Sequence, residues 1–165
     1  MRITARQVFV GPSQYAHFPV IRLELELGVI EQWPTGRLGQ AFVDALIDAV
    51  PELAQHGCSY KEPGGLIRRM RENEGTWLGH VLEHVAIELQ NMAGEDVTFG
   101  RTRSIDGRAG VYSVVYEYAQ REEGIEAGEL ALKLLSSLLP DELKSERAVP
   151  ADWSWHVRGR RRRGL

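Results

Sequence analysis

The sequence predicts an α+β domain, a mainly antiparallel sheet of about four strands packed against three to four helices. Three observations lead there. Some stretches alternate or enrich β-favouring residues as strands do, and others repeat their apolar residues at helical spacing. The segments run in the order β-β-α-α-β-β-α. The length, 165 residues, suits one domain with its own core.

The elements follow in turn. "ITARQVFVG" opens with a short β-favouring run and stops at Gly11-Pro12, a turn signal. In "PVIRLELELG", Leu23, Leu25 and Leu27 point one way and Arg22, Glu24 and Glu26 the other, a strand with one wet face. Past the loop "EQWPTG", the spacing of Leu38, Phe42, Ala45, Leu46 and Ala49 predicts a helix over about residues 37–50, closed by Pro51. "QHGCSYKEPGG" reads as a loop and "LIRRMRE" as a short basic helix. Thr76 is the expected N-cap of a central helix that runs to about Met92 and stops at Gly94. "DVTFGRTRS", "IDGRAG" and "VYSVVYEYA" predict a hairpin. A last helix is expected over about residues 122–139, with Leu130, Leu134, Leu135 and Leu138 inward, ending at Pro140. Residues 1–140 therefore make the domain. Residues 141–165 lose periodicity and end in "RGRRRRGL", read as a partly mobile, basic tail.

Composition narrows the class. Hydrophobic residues make up 43% and charged residues 26%, an ordinary globular balance. A net charge of −3 argues against general nucleic-acid binding. The single cysteine, Cys58, excludes an internal disulfide and fits a reducing compartment. His56 is near it in sequence, but no third group supports a nucleophile, so Cys58 reads as a packed thiol. No secretory signal and no apolar run near the ~18 residues of a membrane span is evident, so a cytoplasmic protein is expected.

The central helix carries the chemistry. At about 100° per residue, Leu78, Val81, Leu82, Val85, Leu89 and Met92 form one apolar stripe. His80 and His84 lie about 40° apart on the other side, predicted to face solvent or a groove, with Glu83 and Glu88 flanking them. One turn separates the two imidazoles, so they can converge on one ion. His80-Val-Leu-Glu83-His84 is an H-x-x-E-H motif, the inverted form of the zinc metallopeptidase H-E-x-x-H. In that arrangement His80 and His84 hold Zn²⁺, or another divalent metal, and Glu83 is the base. The third ligand stays open. Glu88 is one turn past His84 but about 12 Å along the axis from His80. A glutamate from another element is geometrically easier, with Glu123 preferred and Glu122 and Glu117 also available.

The pieces "GPSQYAHFPVIRLELELG", "CSYKEPGGLIRRMRE", "GTWLGHVLEHVAIELQNMAGEDVTFGRTR" and "GVYSVVYEYAQREEG", spread over about residues 3–139, resemble the N-terminal domain of cyanophycin synthetases. In that family the domain precedes two ligase modules that build a poly-aspartate backbone with arginine on each side chain. Neither module is present here, so this chain is not expected to make the polymer. The tail departs from the expected interdomain linker, which favours a free-standing protein over an excised domain. The resemblance implies two roles: a metal-dependent hydrolase that cuts cyanophycin into shorter chains or primers, or a non-catalytic module that grips the polymer. Partners would be cyanophycin or a related Asp/Arg peptide, with docking to a synthetase a third role. In "FGRTR", Arg101 and Arg103 share one strand face and are the expected clamps for substrate carboxylates. Arg68, Arg69 and Arg71 read instead as a solvated helix face.

Overall fold

The computed structural model describes residues 1–56 and 63–144. Cys58 and nearly all of the tail lie outside the described residues. Four strands, β1 (Arg2–Phe9), β2 (Val20–Glu26), β3 (Gly100–Ser104) and β4 (Val111–Glu117), form one sheet in the order β1-β2-β4-β3. Every neighbouring pair is antiparallel, as the sequence predicts. Among the described residues six α-helices accompany it: α1 (Thr35–Leu38), α2 (Gln40–Ala49), α3 (Gly65–Arg71), α4 (Leu78–Met92), α5 (Arg121–Leu138) and α6 (Asp141–Lys144). The architecture is α+β. No helix among the described residues is long and apolar enough to cross a membrane.

Period-two alternation decides the two faces of the sheet. Ile21, Leu23 and Leu25 of β2 stand opposite Tyr116, Val114 and Tyr112 of β4, and this face meets the helices. Arg22, Glu24 and Glu26 stand on the other face, which no helix among the described residues covers, so the wet side expected of β2 is present. β1 and β3 are the edge strands.

α5 reaches the sheet more closely than its leucines suggest. The residues it buries are Gly124, Ala127, Gly128, Ala131 and Leu135, whereas Leu130, expected inward, is exposed. Small residues let the helix backbone settle on β2 and β4. A methyl at Gly124 would meet Ile21 Cδ1 at 3.0 Å, and one at Gly128 would run into the Tyr116 hydroxyl. That hydroxyl donates to the Gly124 carbonyl at 2.9 Å, which ties helix to strand. The predicted helix over residues 37–50 is in fact two, because Gly39 adopts a left-handed φ of 88° between α1 and α2.

α4 is the most enclosed helix. It packs on β3, β4, α5 and the 3-10 turn Pro51–Ala54. Leu78, Val81, Leu82 and Val85 are fully buried as predicted, while Leu89 is only half-buried and Met92 is exposed. A second stripe, Gly79, Glu83 and Gln90, is turned toward the sheet. A methyl at Gly79 would touch Thr102 at 3.3 Å and Tyr112 at 3.4 Å, and Gln90 Nε2 donates to the Glu117 carbonyl at 3.0 Å. Since α4 is covered on both sides, the expectation that its histidine side faces solvent or a groove fails for His84, which is only 3% exposed.

Candidate metal centre

Helical spacing brings His80 and His84 together as predicted. Their Nε2 atoms lie 2.8 Å apart, and the ring centroids 4.6 Å. That separation is well within what two Zn–N bonds of about 2.0–2.1 Å can span. His80 is half-buried, so it forms the solvent side of the pair. Thr76 shares a 2.9 Å hydrogen bond with His80 Nδ1. Thr76 is thus not the N-cap expected of it; Trp77 occupies that position, without a side-chain cap. With Nδ1 engaged by Thr76, Nε2 is the atom His80 presents to His84, as a metal-ligating histidine requires.

Glu83 points to the sheet and is 3% exposed. Thr102 of β3 donates its hydroxyl to Glu83 Oε2 at 2.5 Å, leaving Oε1 on the imidazole side, 3.7 Å from His84 Nε2. Gly100 makes the approach feasible, since a Cβ there would collide with the Glu83 carboxylate. Among the described residues, His80, Glu83 and His84 can offer ligand atoms that all lie within 4.8 Å of one another.

The electrostatics follow from burial. Desolvation lifts the Glu83 carboxyl to about 7, opposed by the Thr102 hydrogen bond and the nearby His56. Desolvation lowers His80, with His56 adding to the effect, and holds His84 well below the ordinary histidine range, with His80 and then His56 adding to it. Both imidazoles are therefore neutral at pH 7, with lone pairs available to a cation, and the Glu83–His84 contact is not an ion pair there. The donor set fits a divalent metal: two neutral nitrogens, an adjoining acid of near-neutral pKa, and a hydrogen bond behind one ring.

The remaining candidates stand elsewhere. Glu88, 7% exposed, is hydrogen-bonded to His56 Nδ1 and accepts from Asn91 Nδ2 at 3.3 Å; the His56 bond is the main reason its pKa is lowered. Glu123 and Glu122 are exposed at the start of α5, and Glu117 Oε2 accepts from the Thr98 and Phe99 backbone amides. Arg101 and Arg103 flank Thr102 on β3, so they lie on the sheet face away from Glu83. The structure thus does not bring them to the histidines.

Four residues near the centre were not assigned to it from sequence: Thr76, read as an N-cap, His56, read beside Cys58, and Gly100 and Thr102. Thr76 sits four residues before His80, a spacing that carried the signal. Thr102, between two arginines on a strand, had to face opposite them, but only the packing of α4 on β3 shows what it meets. His56, with its ring centroid 4.3 Å from that of His84, comes from a distant turn and left no local sign.

Comparison with known proteins gives the chain a family. Residues 21–140 match the family described as cyanophycin synthase-like N-terminal domain. The cyanophycin synthetase of Geminocystis herdmanii is 36% identical over 141 residues, which is 84% of this chain and 16% of that protein. The cyanophycin synthetase of Trichormus variabilis is 39% identical over 141 residues, 84% of this chain and 15% of that protein. The chain spans about a sixth of the length of these curated relatives. The family match over residues 21–140 and the similarity over 84% of its length place the chain in the family of cyanophycin synthase-like N-terminal domains.

Proposed function

We propose that this chain is a metal-dependent hydrolase that cuts the backbone of cyanophycin, the arginine-bearing poly-aspartate, into shorter chains or primers. The observation that carries the reading is the meeting of two neutral imidazoles with one buried carboxyl of near-neutral pKa. His80 and His84 would hold the ion, with Zn²⁺ the first choice for this donor set. When bound, such an ion polarises a scissile carbonyl and acidifies water.

The chain's own residues do the rest. Thr102 pins Glu83 Oε2, so Oε1 is the atom that takes a proton from the attacking water and returns it to the leaving amine. A carboxyl near 7 suits both directions of that transfer. Thr76 and the enclosing helices hold the two rings in place.

The alternative, a non-catalytic polymer-binding module, is favoured by a different observation: the expected substrate clamps, Arg101 and Arg103, lie on the far side of the sheet from the histidines. One assay separates the readings. The full chain is incubated with cyanophycin, with added zinc and with chelator, beside a Glu83→Gln variant. Shortened polymer, lost with chelator and with the variant, supports the hydrolase. Polymer bound but never shortened under any divalent metal overturns it.

A further inference from the structure

A fully buried polar side chain clasps the segment that leads into α4. It belongs to Thr35, the first residue of α1. A hydroxyl taken out of water has to be hydrogen-bonded. This one donates to the Met70 carbonyl at 3.0 Å and accepts from the Thr76 amide at 2.9 Å. The Thr35 amide in turn donates to the Thr76 carbonyl at 2.8 Å. Thr35 therefore grips both backbone groups of Thr76 and ties them to the last turn of α3. Two glycines let the chains come this close. A side chain on Gly36 would run into the backbone of Glu72 and Asn73, and one on Gly75, whose φ of 57° is left-handed, into the Gly36 amide. From this clasped backbone the Thr76 hydroxyl meets His80 Nδ1 at 2.9 Å.

We propose that Thr35 is a positioning residue for the histidine centre: it clasps Thr76 and thereby fixes the hydrogen-bond partner of His80 Nδ1. A neutral imidazole carries one proton, and a ring that offers Nε2 to a cation keeps it on Nδ1. Such a ring needs an acceptor behind it that stays in place. A threonine in an unanchored loop would move with its backbone and lose that freedom each time the bond formed. Here folding has already removed it, because the amide and the carbonyl of Thr76 are both held by Thr35. Thr35 itself stands outside the candidate ligand set, whose atoms come from His80, Glu83 and His84. Its influence therefore runs through Thr76. The inference rests on the proposed function in taking His80 to be a metal ligand.

The test uses the full chain, stripped of metal and titrated calorimetrically with zinc. Thr35→Val keeps the branched shape, removes the hydroxyl and should weaken zinc affinity by about tenfold. Thr76→Val should weaken it by a similar factor, and Thr35→Ser, which keeps the hydroxyl, should restore most of the loss. In the double variant Thr35→Val/Thr76→Val the two losses should not add, since both act on the same bond to His80. A merely structural Thr35 would lower the melting temperature and leave zinc affinity as it is in the parent. Zinc affinity unchanged in Thr35→Val, or losses that add in full in the double variant, overturns the proposal. Should Thr35→Val not fold, Thr76→Val tests the link from its other end, and parent-like affinity there overturns it too. A parent that takes up no zinc overturns the histidine centre itself, a result distinct from variants that bind zinc as well as the parent.

Discussion

The Glu83 carboxyl is the candidate base and, without a cation beside it, also a weak point of the fold. Its native pKa of about 7 exceeds the ordinary 4.5, so the folded state holds the proton more tightly than the unfolded chain. As pH rises from 4.5 toward 7, the unfolded chain gains charge in water while the native state must bury it, and stability falls. The histidines work on the opposite flank: their native pKa values are depressed, so the stability linked to their neutrality is present above 6.5 and lost as pH falls below it. Glu83→Gln should therefore raise the melting temperature of the metal-free protein at pH 8 by roughly 2–4 °C, and change it little near pH 4.5. Paired thermal melts at the two pH values check this, and an equal shift at both would remove the titration argument. In the polymer assay the same substitution should cut the rate by about 10²–10⁴-fold, read as release of soluble fragments. At this scale the sequence was partly legible. The H-x-x-E-H spacing named the three central residues, but Thr102, Gly100 and His56 depend on contacts across long sequence separations.

Among the elements, α5 shows how a helix reads differently from sequence and from packing. Leu134, Leu135 and Leu138 do pack on the core, but Leu130 does not, and the sheet also takes the helix's glycines and alanines, because Tyr116 reaches up to the helix backbone. Hydrophobicity indicates which residues prefer burial; the distance at which two backbones meet indicates which ones fit. Gly128→Ala tests this. The substitution gains up to about 1 kcal/mol of helix propensity but forces a methyl into the Tyr116 hydroxyl, a clash expected to cost about 1–3 kcal/mol. The net result should be destabilisation, visible as a lower urea midpoint, with a further loss if the Tyr116–Gly124 hydrogen bond breaks. An unchanged or higher midpoint would mean that α5 can lift off the sheet freely. The same limit applies to α4. A helical wheel identifies the most apolar side, but it does not show what covers the polar side, and here that side meets β3.

Across the whole molecule, strand number, antiparallel pairing and helix order were all readable from alternation and spacing, because each depends on local pattern. The wet face of β2 was readable too; what stayed hidden was that α4 sets Glu83 against β3 and buries His84, leaving His80 as the solvent side of the centre. That enclosure gives a global readout of metal binding. A ligand held only by the native state stabilises it by about 2.7 kcal/mol at a hundredfold excess over its Kd. Zinc should therefore raise the melting temperature of the wild type, chelator should reverse the shift, and His84→Ala should abolish it. A zinc-induced shift that persists in His84→Ala would assign the metal elsewhere.

β3 is only five residues long, yet it separates two compartments of opposite character, with a threonine facing the acid on one side and guanidiniums facing open water on the other. Its residue count therefore has a parity. Removing a single position between Gly100 and Arg103 would rotate the pattern by half a turn, swing a cation in against Glu83 and turn the hydroxyl outward, spoiling both compartments together. Between Gly100 and Arg103, only a change of two residues would leave the hydroxyl and the guanidiniums on their own sides.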